Sequence, residues 1–168
     1  MIDIRPVANI IGWLLMTLGA IMVVPLVVDL ANSSDDWQVF LLSSFVTVMS
    51  GGLLVMATRN SVGQGLTLRQ SFLMTTMTWT VLPFFGAIPL EMGLEHVNWT
   101  DAVFESMSGM TTTGSTVLSD LDHTARGILL WRSLLQWMGG VGFIAMGVLI
   151  LPFLRVGGMR LFHAESSD

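Results

Sequence analysis

The stretch "DAVFESMSGMTTTGST", Asp101–Thr116, decides how the chain is read. No charged residue occurs from Ser106 to Ser119. That run is too short to cross a bilayer as a helix, which takes roughly 20 apolar residues. Residues 101–110 predict a short helix, with Thr100 or Asp101 as its N-cap and Ala102, Val103, Phe104 and Met107 on its packed face. After Gly109 the chain turns into TTTGST, residues 111–116, and then returns to the acidic Asp120 and Asp122. A short helix followed by extended chain at membrane depth is a re-entrant loop. Such backbone is tolerated in hydrocarbon only where it lines water or is buried in protein.

The surroundings make membrane depth the right frame. Of 168 residues, 52% are hydrophobic and 11% charged, too few charges for the surface of a water-soluble domain. There is no lysine, tyrosine or cysteine, so disulfides and thiol-bound metals are excluded. A net charge of −5 argues against nucleic-acid binding, which needs a basic patch. Four uncharged runs are long enough to span: Pro6–Val28, Trp37–Thr58, Gln70–Leu90 and Ser133–Leu154. The first is too long for the apolar core of a signal peptide and is read as a retained span. Pro25 predicts a kink near its end, Gly51-Gly52 a close helix approach, and Pro83 and Pro89 a bend and an end to the third span.

Arginine sets the orientation, because cytoplasmic flanks collect positive charge. Arg5, Arg59, Arg69, Arg155 and Arg160 all fall on one side of a four-span chain. The other side holds Asp29, Asp35, Asp36, Glu91, Glu95, Asp101, Asp120 and Asp122, with Arg126 its one arginine flank. Both termini are therefore expected in the cytoplasm.

At the loop, residue types suit a hard cation that wants oxygen. Backbone carbonyls replace the hydration shell of a permeating ion. Gly114 takes positive φ without penalty, and threonines favour extended backbone and offer hydroxyls as ligands or braces. Composition alone leaves open an ordinary polar loop just outside the membrane.

Three blocks go further: "DAVFESMSGMTTTGST" (101–116), "LLWRSLLQWMGGVGFIAMGVLILPFLRVGGMRLFHAE" (129–165) and "WTVLPFFGAIPL" (79–90). Together they resemble the Trk/Ktr/HKT superfamily of potassium transporters, in particular its TrkH-like branch. The resemblance implies an all-α integral membrane fold of four transmembrane helices plus one re-entrant pore helix and filter loop, one quarter of a pseudo-fourfold ion pore. Residues 1–60 would be two leading transmembrane helices. Residues 61–168 would be the first helix–pore helix–filter loop–helix repeat with a cytoplasmic tail.

The implied function is potassium uptake, with Thr111, Thr112, Thr113, Gly114, Ser115 and Thr116 forming one wall of the selectivity filter. No cofactor is implied; K⁺ is the transported ion, held by backbone carbonyls. The implied partners are the remaining three repeats or sister subunits, membrane lipid and a cytosolic nucleotide-binding regulatory ring, and the implied location is the bacterial inner membrane. The chain is expected to be the N-terminal part of a longer transporter. A non-conducting structural or regulatory subunit and a one-repeat subunit of a homotetrameric channel are the alternatives.

Charges inside the apolar blocks call for partners, since one at a helix centre costs roughly 2.5 to 3.5 kcal/mol. Glu105 and Arg132 are expected to pair and to prop the short helix against the last span; the plainer option is Arg132 reaching the interface. Gly139-Gly140-Val141-Gly142 lacks the strand and lysine of a phosphate loop and reads as helix packing or a hinge. His96, His123 and His163 are isolated, so no metal cluster is expected, and an enzyme is not expected because no nucleophile–base pair stands out.

Overall fold

Proline and glycine shape the first three helices. The computed structural model describes residues 3–34, 36–59, 66–119, 121 and 124–165, without side chains from 149 onward. Asp35, Asp120, Asp122 and His123 lie outside the described residues, as do the side chains of Arg155, Arg160 and His163. Helix α1 runs Arg5–Ile21 and α2 Val23–Ala31. The break falls at Met22, about one turn before Pro25, because a proline ring collides with the carbonyl four residues earlier, here that of Ile21. Leu26 N–H still reaches the Met22 carbonyl at 3.3 Å, so α1 and α2 continue as one span.

Helix α3, Trp37–Thr58, lies along α1. A Cβ on Gly51 would sit 2.6 Å from the Gly12 carbonyl oxygen, so the two backbones touch at this crossing. Gly52 faces open space, so only the first glycine of the pair is a packing residue. Polar groups close the same contact: Ser44 Oγ donates to the Gly19 carbonyl at 2.7 Å and Asn9 Nδ2 to Thr58 Oγ1 at 3.1 Å.

Helix α4 spans Leu68–Gly93 and opens on a capping box of Thr67 and Gln70. Gln70 Nε2 also donates to the Asp3 carbonyl at 2.7 Å. With the Asn9–Thr58 contact, this gathers the helix ends that carry Arg5, Arg59 and Arg69. Both Pro83 and Pro89 lie inside α4, which does not end at Pro89 but continues to Gly93. Pro89 deprives one carbonyl of its donor, yet Leu90 is fully buried and Gly93 packs on Ile128, which holds the extra turn.

Helix α5 spans Trp99–Met110 and α6 spans Arg126–Glu165. The last span thus starts at Arg126 rather than Ser133. Ile128, Trp131 and Leu135 recur at helical spacing and are fully buried, so a packed face extends the helix beyond the uncharged run. Helix α6 runs antiparallel to α4. Ile128 meets Gly93, Trp131 Nε1 donates to the Gly86 carbonyl at 2.9 Å, and Trp79 Nε1 reaches Met146 Sδ at 2.8 Å. Trp131 also meets Phe40 of α3 edge-on at 6.3 Å. The core lies where these helices converge, at Leu15, Leu18, Met22, Phe40, Leu90 and Trp131. Trp13, Phe45, Leu53, Phe72, Phe143 and Ile144 point outward. Four helices are long and apolar enough to cross a membrane, and no strand occurs among the described residues.

Candidate pore loop

The loop hangs from α5, and α5 is held by its neighbours. Its N-cap is Asn98, not Thr100 or Asp101: Asn98 Oδ1 accepts from the Asp101 N–H at 3.0 Å, and the helix starts at Trp99. Asp101 instead sits in the first turn, where a negative charge is favourable. Helix α5 runs in the same direction as α6. Glu105 meets Arg132, Gly109 meets Leu135, and Met110 meets Gly139. A Cβ on Gly139 would lie 1.8 Å from the Met110 carbonyl oxygen, so glycine is required for this contact. Gly140 and Gly142 have no such neighbour. Between Arg132 and Gly139 lie about 10 Å of helix axis, which measures how far these contacts of α5 reach along α6.

The end of α5 closes in a Schellman motif. The Thr112 N–H donates to the Gly109 carbonyl at 2.9 Å and the Thr113 N–H to the Ser108 carbonyl at 3.0 Å. That motif needs a left-handed residue, usually glycine, and here Thr112 fills it at φ 58°. A β-branched residue in this region is strained by roughly 1–2 kcal/mol. Gly114 is left-handed too, at φ 77°. Its surroundings are open, so conformation rather than crowding requires glycine there.

Hydroxyls brace this shape. Thr111 Oγ1 donates to the Met107 carbonyl at 2.9 Å and lies 2.9 Å from Thr113 Oγ1. Ser108 Oγ donates to the Ser115 carbonyl at 2.6 Å. Thr116 Oγ1 and the Val117 N–H each donate to Glu105 Oε2 at 3.1 Å. The other oxygen, Glu105 Oε1, accepts from Arg132 Nε at 2.7 Å and from Arg132 Nη2. Glu105 therefore ties three segments: its own helix, α6 and the returning limb of the loop. It is 2% exposed and Arg132 24%. A polar cavity of about 100 Å³ lies behind the loop, lined by Glu105, Ser108, Gly114, Ser115, Arg132 and Gln136. The returning limb, Val117–Ser119, lines a cavity of about 170 Å³ together with Leu94 and His96 of the turn between α4 and α5.

All six loop residues, Thr111 to Thr116, are exposed. The carbonyls of Thr111, Thr112, Thr113 and Gly114 accept no hydrogen bond from any described residue. The sequence pointed to these residues and to the Glu105–Arg132 pair, which the structure brings together. It gave no sign of the strained Thr112 or of Ser108 as a brace. The paired glycines hinted at Gly139 without saying what it touches.

The family model described as TrkH, cation transport protein, matches residues 36–168. The chain belongs to the TrkH family. Its relatives include the Trk system potassium uptake protein TrkI of Halomonas elongata, 41% identical over 97% of this chain and 33% of that protein. The Trk system potassium uptake protein TrkH of Escherichia coli K12 is 40% identical over 96% of this chain and 33% of that protein. The crystal structure of the potassium transporter TrkH from Vibrio parahaemolyticus matches with a TM-score of 0.84 at 35% identity, over 94% of this chain and 34% of that one. The chain thus spans about a third of the length of the TrkH-family relatives it matches. Helices α1 and α2 fall before the matched family region but within the relatives' alignments.

Proposed function

We propose that this chain supplies one wall of a potassium-selective pore, with Thr111 to Thr116 as its share of the selectivity filter. The observation that carries the reading is the set of carbonyls at Thr111–Gly114, which have no hydrogen-bond partner among the described residues and sit on a left-handed alternation. In a hydrocarbon setting each unsatisfied carbonyl costs several kcal/mol. A dehydrated cation offsets that cost, because carbonyl oxygens take the place of its water. In this reading α5 and the loop form a re-entrant hairpin within the membrane. Gly114 permits the backbone shape, and Glu105 and Arg132 hold the returning limb. The relatives' names as potassium uptake proteins favour K⁺ as the ion.

One loop is a quarter of a coordination shell, so the rest of the filter comes from further repeats or sister chains. The five arginine flanks support a reading in which both termini lie in the cytoplasm, the membrane being a bacterial inner membrane. A cytosolic nucleotide-binding ring would meet the protein on that side.

The test is a chimera in which this chain replaces the matching third of Escherichia coli TrkH, in a bacterium that lacks its own potassium uptake. The chimera is expected to restore growth at low potassium, and Gly114→Asp to abolish it. Growth and K⁺/Na⁺ discrimination that survive Gly114→Asp unchanged would falsify the filter assignment.

A further inference from the structure

Asp29 stands near the end of α2, where the sequence reads as the start of an exposed acidic loop, yet it is fully buried. Its Oδ1 accepts from the backbone N–H of Gly127 at 2.8 Å, across 98 residues of chain. Gly127 is the second residue of α6. The first N–H groups of a helix have no partner within it, and a Ser, Thr, Asp or Asn just before the helix usually supplies one. Ala125 precedes α6 and has no acceptor side chain. The acceptor comes from another helix instead.

The fit is close. A Cβ on Gly127 would lie 2.1 Å from Asp29 Oδ2 and 2.4 Å from its Cγ, so the carboxylate lies flat on the glycine. Asp29 Oδ2 has no hydrogen-bond partner among the described residues. Beside it, Arg126 Nη1 donates to Asn32 Oδ1 at 2.7 Å. The junction is thus fastened twice, and both acceptors belong to the leading helix or its end.

From there a chain of contacts reaches the loop. Arg132 stands five positions beyond Gly127 on the same rigid helix. It holds Glu105, and Glu105 holds the Val117 N–H and the Thr116 hydroxyl. We propose that Asp29 is a positioning residue for the pore loop. By seating the start of α6 on α2, it fixes the height of Arg132, and through Glu105 the height of the limb at Thr116 and Val117. The leading helices then act on ion selection without touching the ion. This rests on the reading of Thr111 to Thr116 as a filter wall.

The test uses the complete chimeric transporter and scores the K⁺/Na⁺ uptake ratio, which does not depend on how many copies reach the membrane. Asp29→Ala and Gly127→Ala are each expected to lower the ratio by about fivefold, the equivalent of one lost helix cap. Asp29→Asn keeps an oxygen to accept from Gly127 and is expected to retain the wild-type ratio. In the purified protein, Asp29→Ala is expected to speed hydrogen exchange at the Val117 amide, whether or not the pore conducts. Gly114→Ser is the control. If Gly114→Ser relaxes selectivity while Asp29→Ala and Gly127→Ala keep the wild-type ratio and the wild-type Val117 exchange, Asp29 does not position the loop and the filter reading stands. If Gly114→Ser also leaves the ratio intact, the filter reading fails and the role of Asp29 falls with it.

Discussion

The α1–α3 and α5–α6 contacts are both made over glycine, and they end differently. At α1–α3, Gly12 and Gly51 bring two backbones together, and the nearby polar groups answer one another, Asn9 to Thr58 and Ser44 to the Gly19 carbonyl. At α5–α6, Gly139 receives the Met110 carbonyl, and the chain then runs on into a loop with four carbonyls unanswered among the described residues. Donors are not scarce there. The hydroxyls of Ser108, Thr111 and Thr116 all donate, but to Ser115, Met107 and Glu105. The loop thus spends its hydroxyls on its own shape and leaves backbone oxygens over. A self-contained contact and an open one are built from the same small-residue packing.

The sharpest way to break the open side is Arg132→Met. It strands the buried Glu105 carboxylate and is expected to cost about 3–5 kcal/mol, read as lost accumulation in the membrane and lost growth at low potassium. Glu105→Gln with Arg132→Met is expected to recover part of that stability, because no charge is left unpaired. A double variant no better than Arg132→Met would show that the pair is not what matters. Gly139→Ala comes next, since its Cβ meets backbone and no flexible side chain is available to give way; about 3 kcal/mol is expected. Its effect should include selectivity, because α5 carries the loop.

Gly51→Ala tests the closed side. Its Cβ would also meet backbone, at 2.6 Å from the Gly12 carbonyl oxygen. A loss of about 1–3 kcal/mol is expected in thermal stability, with the K⁺/Na⁺ ratio of surviving copies unchanged. A shifted ratio would mean that the two contacts are not separable. Smallest of all, Gly52→Ala and Gly142→Ala face open space inside helices, and each is expected to raise stability by about 0.5–1 kcal/mol in thermal melts through helix propensity alone.

Much of this was legible beforehand, for identifiable reasons. Uncharged runs located the spans because the cost of burying charge is large and local. Glu105 and Arg132 were legible as a pair because each stands alone in apolar sequence. Boundaries were less legible. The start of α6 was hidden by Arg126 and Arg132, charges that reach partners far away in sequence. Pro89 suggested a helix end because the packing that overrides it comes from Ile128. The N-cap moved to Asn98 because several cap-forming residues stand side by side there. Asp29 was read as loop charge because its partner, a backbone N–H, has no signature in sequence. Thr112 carries no signal at all, since nothing local distinguishes it from the threonines on either side.

The direction of α5 has one more consequence. Because it runs with α6, its carbonyl end is the end seated deepest along that helix, at Met110 and Gly139. Aligned peptide dipoles give such an end the equivalent of about half a negative charge. No ionisable side chain lies between Ser106 and Ser119, so this charge is neither titratable nor mobile. The loop sits in an attractive field for cations that proton concentration does not switch off and that no single side-chain substitution removes.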